Sequence, residues 1–331
     1  MAQAPEPVRP LGSATAQHQS IEAVRAEIAR VIVGQTDLVD RLLVALLTNN
    51  HALIEGVPGL AKTLTVSTLA RSIECSFARI QFTPDLLPAD ITGTLIFNPQ
   101  DAAFRTRRGP IFANVVLADE INRAPAKVQS ALLEAMQERT VSIGGESIPL
   151  PDPFLVLATQ NPIEQEGTYP LPEAQLDRFM LKIVVDYPKR DEERSILQRA
   201  LDTDVPTSRA VIDVDEIVRL REAVRAVEVN NRLREYIVRI TESTRDPARF
   251  SMPDLASLIE YGVSPRASVF LARGAQAYAF IHGRDYTTPE DVKALAPDVL
   301  RHRMVLTYEA EARAVTADQV VTRILEGVGL P

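Results

Sequence analysis

Gly56-Val57-Pro58-Gly59-Leu60-Ala61-Lys62-Thr63 decides how the rest of the chain is read. The apolar run 52–54 precedes it, and a helical pattern over 64–73, beginning at Leu64, follows. A glycine-bearing loop between a strand and a helix turns successive backbone N–H groups inward as an anion nest, and the helix N-terminus adds a favourable dipole. In that setting Lys62 reaches the β- and γ-phosphates of a nucleotide and the Thr63 hydroxyl binds Mg²⁺. The strict form of the motif has glycine where Ala61 stands. Taken alone, the segment also reads as a Gly-Pro turn before a helix.

Working outward, the next informative stretch is Val115-Val116-Leu117-Ala118-Asp119-Glu120, an apolar strand ending in two carboxylates. If that strand lies parallel to the one before the loop, its C-terminal end faces the phosphates, where ligands bind in open α/β sheets. Asp119 then holds Mg²⁺ through water, and Glu120 orients and polarises the attacking water. Two carboxylates at a strand end are otherwise common. Both elements in order, each closing a strand, point to nucleotide hydrolysis.

Further runs at 78–82, 154–158 and 180–185 are expected as buried strands, and continuous rather than alternating apolar character, as at 154–158, is the pattern of a parallel sheet covered on both faces. Helical periodicity lies between them, as at Val128, Leu132, Ala135 and Met136. Helices are expected over about 19–31 and through Leu38, Leu42, Leu43, Leu46 and Leu47. Residues 140–150 alternate around Gly144-Gly145, a hairpin signal. Residues 92–108 read as a second insertion, with an extended piece at 94–97 and a basic cluster, Arg105, Arg107 and Arg108. Strand signals end near Pro188, and helical patterns such as Ile217, Leu220, Val224 and Val227 follow. The expected organisation is a flexible tail over 1–17, an α/β core over 18–188, and an all-helical domain over 189–331.

The chain has 331 residues, room for two domains without disulfides or metals. A net charge of −8 disfavours nucleic acid as the main partner. The single cysteine, Cys75, forms no internal disulfide and reads as a small buried side chain, and the four histidines have no partners at zinc spacing. No apolar run is long enough to span a bilayer. These features lead to the expectation of a cytoplasmic protein.

With these residues in place the sequence resembles the MoxR family of AAA+ ATPases. The matching segments are 56–63, 117–124 (Leu-Ala-Asp-Glu-Ile-Asn-Arg-Ala), 158–162 (Ala-Thr-Gln-Asn-Pro), 171–179 (Leu-Pro-Glu-Ala-Gln-Leu-Asp-Arg-Phe) and 262–267 (Gly-Val-Ser-Pro-Arg-Ala). They occur in family order and cover about residues 20–310. The resemblance implies a P-loop AAA+ parallel-sheet core with a C-terminal helical lid, a homo-oligomeric ring, usually of six subunits, and ATP with Mg²⁺ as cofactors. It implies that Asn161 is the sensor-1 residue, that Arg178 is an arginine finger reaching the neighbouring subunit's site, and that Arg266 is the sensor-2 arginine of the lid. It aligns Val33-Gly34-Gln35 with the segment that packs on adenine. The two interruptions correspond to the helix-2 insert and the pre-sensor hairpin. Read alone, Asn161-Pro162 is a turn, Asp177-Arg178 a surface ion pair, Arg266 a solvated helix-start residue, and the Arg105 cluster a solvated charge run.

The resemblance also implies a chaperone-like remodeller or activator working with a separate protein that carries a von Willebrand factor A (VWA) domain. A nucleic-acid motor and a magnesium-chelatase-type motor subunit are the alternatives in the same branch. The acidic charge counts against the first, and the second needs a large tetrapyrrole-binding subunit. A nucleotide-binding scaffold without turnover is disfavoured by the intact set Lys62, Asp119, Glu120, Asn161 and Arg178.

Overall fold

A computed structural model describes residues 11–100, 102–162, 167–201 and 206–331. Five strands, β1 (Ala52–Glu55), β2 (Phe77–Gln81), β3 (Val115–Asp119), β4 (Leu155–Gln160) and β5 (Leu181–Val184), form one sheet in the order β5-β1-β4-β3-β2. Every pairing is parallel. The apolar runs of β1, β3 and β4 are continuous because both faces are covered, whereas β2 at the sheet edge alternates and is mostly exposed, against the expectation for 78–82. Ile54, Leu117 and Leu157 point into one core, and Leu53, Val116 and Ala158 into another. Parallel order puts the ends of β1, β3 and β4 on one edge of the sheet, so the residues that follow them meet there.

Helices α1 (Leu11–Val31), α2 (Thr36–Leu47) and α3 (Lys62–Ser72) cover the first face, and α4 (Ala126–Glu138) the second. The expectation of a tail over 1–17 lies, for residues 1–10, outside the described residues, and from Leu11 the chain is helical. α1 therefore begins eight residues ahead of the periodic apolar signal. The insertion at 92–108 is a two-stranded hairpin, Gly93–Asn98 against Ala103–Arg108, and the one at 140–150 pairs Thr140–Ile143 with Glu146–Pro149.

Beyond Pro188 come α5 (Arg190–Leu201), α6 (Val214–Arg225), α7 (Asn231–Ser243), α8 (Pro265–Ile281), α9 (Pro289–Leu300) and α10 (Ala317–Gly327). Several start on side-chain caps: the Asn230 carboxamide oxygen accepts from the Leu233 N–H at 2.9 Å, and Thr288 and Asp291 form a capping box. This region is helical but not free of strand pairing. Ile212–Asp213 runs parallel to Ile73–Glu74, and Ile259–Tyr261 pairs with Val305–Leu306. Such two- and three-residue pieces carry too little pattern to be read from sequence. The core of this region is continuous with the first face of the sheet.

Candidate active site

The edge of the sheet above β1, β3 and β4 holds a cavity of about 410 Å³, within the range usual for ligand sites. Pro58, Gly59, Leu60, Ala61, Lys62, Thr63 and Leu64 line one side, and Asp119, Glu120, Thr159 and Asn161 the other. Ala61, the residue before α3, sits in the left-handed region at φ 54 and makes no side-chain cap to the helix. The first N–H groups of α3 thus point outward for an anion. The same φ explains why the strict motif carries glycine here: a side chain in this conformation is strained. The Lys62 ammonium donates to the carbonyl oxygens of Gly56 and Val57, the latter at 3.1 Å, and so lies folded over the loop. Burial pushes its pKa down, opposed by Asp119, Glu120 and Glu55.

The acidic side is cross-braced. The Thr159 hydroxyl donates to Asp119 Oδ1 at 2.6 Å and accepts the Glu120 N–H at 2.9 Å, tying the end of β3 to β4. Arg79 on β2 donates to Asp119 Oδ2 at 2.6 Å. Glu120, held at φ 57, accepts from Gln81 Nε2 and from Arg123 Nη1, each at 3.0 Å. Asn161 is buried on the same wall.

No group of three or more His, Cys, Asp or Glu among the described residues could hold a metal by itself. One hydroxyl (Thr63) and one carboxylate (Asp119) on a shared cavity fit Mg²⁺ carried by nucleotide phosphates, which needs few protein ligands.

A second cavity of about 170 Å³ adjoins the first, because Gly59, Leu60, Ala61 and Leu64 line both. Val33 lines it with Val31, Ile32, Pro188 and Ile196, an apolar setting suited to a flat base. Gly34 does not: it lines a small recess with Ile28 and Asp40, and a Cβ there would meet the Glu192 carboxylate at 2.3 Å. Gln35, the third residue of the aligned segment, lines the same apolar cavity as Val33. Its Nε2 donates to Leu60 O at 2.8 Å and so pins the phosphate loop to the start of α2. Thr159, Arg79 and Ile196 were not singled out from the sequence. Thr159 lies within the quoted Ala-Thr-Gln-Asn-Pro segment, where a hydroxyl at the end of a buried strand was the available signal.

Arg178 and Arg266 lie elsewhere. Neither lines the phosphate cavity, and both line a separate one of about 200 Å³ with His51, Arg139 and Phe270. Arg266 is drawn there by Asp177, which accepts from it at 3.0 Å and from Arg303 Nε at 2.8 Å. Arg303 is 8% exposed, so Asp177 is anchored from the interior. Asp177 therefore pairs with Arg266 and Arg303 rather than with Arg178, which forms no ion pair among the described residues. Cys75 is half-buried rather than fully enclosed, and burial raises its thiol pKa to about 11.

Comparison with known proteins accords with this geometry. Residues 51–181 match the model of the ATPase family associated with various cellular activities (AAA), and residues 255–324 match the AAA lid domain. The chain is 51% identical to Chaperone MoxR1 of Mycobacterium tuberculosis, over 96% of this chain and 84% of that protein. It is 31% identical to Protein MoxR of Methylorubrum extorquens, over 92% of this chain and 93% of that protein. A crystal structure from Cytophaga hutchinsonii superposes with a TM-score of 0.91 at 46% identity, covering 97% of each chain.

Proposed function

The chain belongs to the MoxR family of AAA+ ATPases, and on that premise we propose that it hydrolyses Mg²⁺-bound ATP in a ring whose subunits share their sites, driving the remodelling of a client complex. The observation that carries the chemistry is the single cavity lined by Lys62, Thr63, Asp119, Glu120 and Asn161. Lys62 and the N-terminus of α3 bind and orient the phosphates. Thr63 and Asp119 would hold the magnesium ion, which would neutralise phosphate charge. Glu120 takes the hydrogen bond of the attacking water and draws off its proton, while the Asn161 amide positions that water or the γ-phosphate. Thr159 acts through Asp119 and Glu120 by fixing their geometry.

Arg178 and Arg266 lie away from this cavity but together, which supports a role on the neighbouring subunit's nucleotide rather than on their own. A finger of this kind stabilises charge developing on the transferred phosphoryl group. On this reading Arg266 exercises its sensor-2 role on the neighbour's nucleotide. The chaperone activity rests on the name of the M. tuberculosis relative. The VWA-domain partner and the hexameric ring rest on the family resemblance. A cytoplasmic location, where a thiol such as Cys75 stays reduced, completes the reading.

Glu120→Gln tests it. This variant retains Mg²⁺-ATP binding, loses at least ~10²-fold in turnover, and traps client-bound rings for co-purification. Turnover at the unsubstituted rate removes Glu120 from the mechanism, and absence of any captured VWA-domain protein removes that partner.

A further inference from the structure

Away from the nucleotide site, α6 and α8 close over the end of α2 around a cleft of about 180 Å³. Thr48 and Asn49 come from the end of α2, Arg221 and Arg225 from α6, and Arg273 and Gln276 from α8. Arg221 and Arg225, four residues apart, share one face of their helix. The cleft has no lining residue in common with the phosphate-loop cavity.

Its charge is unbalanced. Arg221 is 6% exposed. Its Nε donates to Leu46 O at 3.0 Å and its Nη1 to Asp152 Oδ1 at 2.7 Å, but its buried Nη2 has no hydrogen-bond partner. Asp152 has a side chain 69% exposed, so water screens its compensation. Arg225 and Arg273 are exposed and form no ion pair among the described residues. Arg139 stands next to the cluster, donating to Asn49 O at 2.6 Å, and its pKa falls to about 10 through burial and the nearby Arg221. Three guanidinium groups around one cleft, with Arg139 beside them and one exposed carboxylate as counter-charge, leave positive charge that an anion in the cleft offsets.

We propose that this cleft binds a small phosphate anion, between inorganic phosphate and pyrophosphate in size, independently of the nucleotide site. Guanidinium forks match the oxygens of a phosphoryl group, and several can converge on one tetrahedral anion. The volume lies below the ~300 Å³ at which drug-sized ligands begin to fit, which excludes an enclosed whole nucleotide. Bound there, the anion ties the end of α2 to α6 and α8, joining the sheet-covering helices to the helical C-terminal region.

Pyrophosphate titration by calorimetry tests this, at fixed ionic strength with chloride as the control. A Lys62→Ala host weakens the contribution of the phosphate loop. The host binds pyrophosphate, and adding Arg225→Ala and Arg273→Ala weakens that binding at least ~10-fold while helix content and assembly state are unchanged. Binding that survives both substitutions, or no binding at millimolar pyrophosphate, overturns the site. A change of assembly state without a change in pyrophosphate affinity also overturns it, by assigning the arginines to a contact between subunits.

Discussion

Mixing two inactive variants, Arg178→Ala and Lys62→Ala, restores ATP turnover. The basis is spatial: Arg178 lines one cavity and Lys62 another, with no lining residue in common. Each homogeneous variant is defective at every site. Loss of the finger alone costs about 10³–10⁵ in rate in related phosphoryl transfer, and loss of Lys62 removes the ammonium that draws the phosphates into the loop. A head-to-tail ring brings the pocket of one subunit against the finger of the next. In an equal mixture half the pockets are intact, carried by Arg178→Ala subunits, and half of those face an intact finger, carried by Lys62→Ala subunits. Random assembly therefore makes about one quarter of all sites complete, whatever the ring size. The assay is steady-state phosphate release at constant total protein across mixing ratios. Activity peaks at equal mixing near a quarter of the unsubstituted value and falls away on both sides. Differently tagged subunits, co-purified, establish that mixed rings form. Mixed rings with no activity at any ratio refute the shared site.

Two more predictions concern the scaffold. Ala61→Gly relieves the left-handed strain before α3 and raises stability to denaturant by up to ~1 kcal/mol with nucleotide affinity retained; a loss of stability would refute the strain. His51 is fully enclosed, its pKa lowered to about 3 by burial, with Nδ1 accepting the Val156 N–H at 2.9 Å and so closed to a proton. Because the folded-state value lies below the unfolded one, the unfolded chain takes up the proton first as pH falls. Stability is full above about pH 6.5 and is lost between there and pH 3, with about 2 kcal/mol from this residue gone by pH 5. An imidazole signal for His51 that titrates near pH 6.5 in the folded protein would contradict this.

Much of the fold was legible because its central strands are buried on both faces. The runs at 52–54, 115–118 and 154–158 are apolar throughout, and β1, β3 and β4 fall on them within two residues at either end. Legibility failed where burial leaves no mark. The hairpin strand Ala103–Arg108 is exposed along its whole length, so it read only as a basic cluster. The acidic pair and the phosphate loop were readable because their chemistry needs particular residue types at strand ends. The placement of Arg266 was not. It follows from an ion pair to Asp177, itself held by the buried Arg303, three residues from distant parts of the chain whose meeting no local pattern encodes. The different sides taken by Val33 and Gly34 are likewise a matter of backbone direction, set by the turn between α1 and α2.

The most direct measurement is an experimental structure of Glu120→Gln with ATP and Mg²⁺. The account predicts the triphosphate lying along the N-terminus of α3, with the Lys62 ammonium on the β- and γ-phosphates and the ion between Thr63 and the water shell of Asp119. Nucleotide bound elsewhere, or a triphosphate out of reach of Lys62 and Asp119 together, contradicts it.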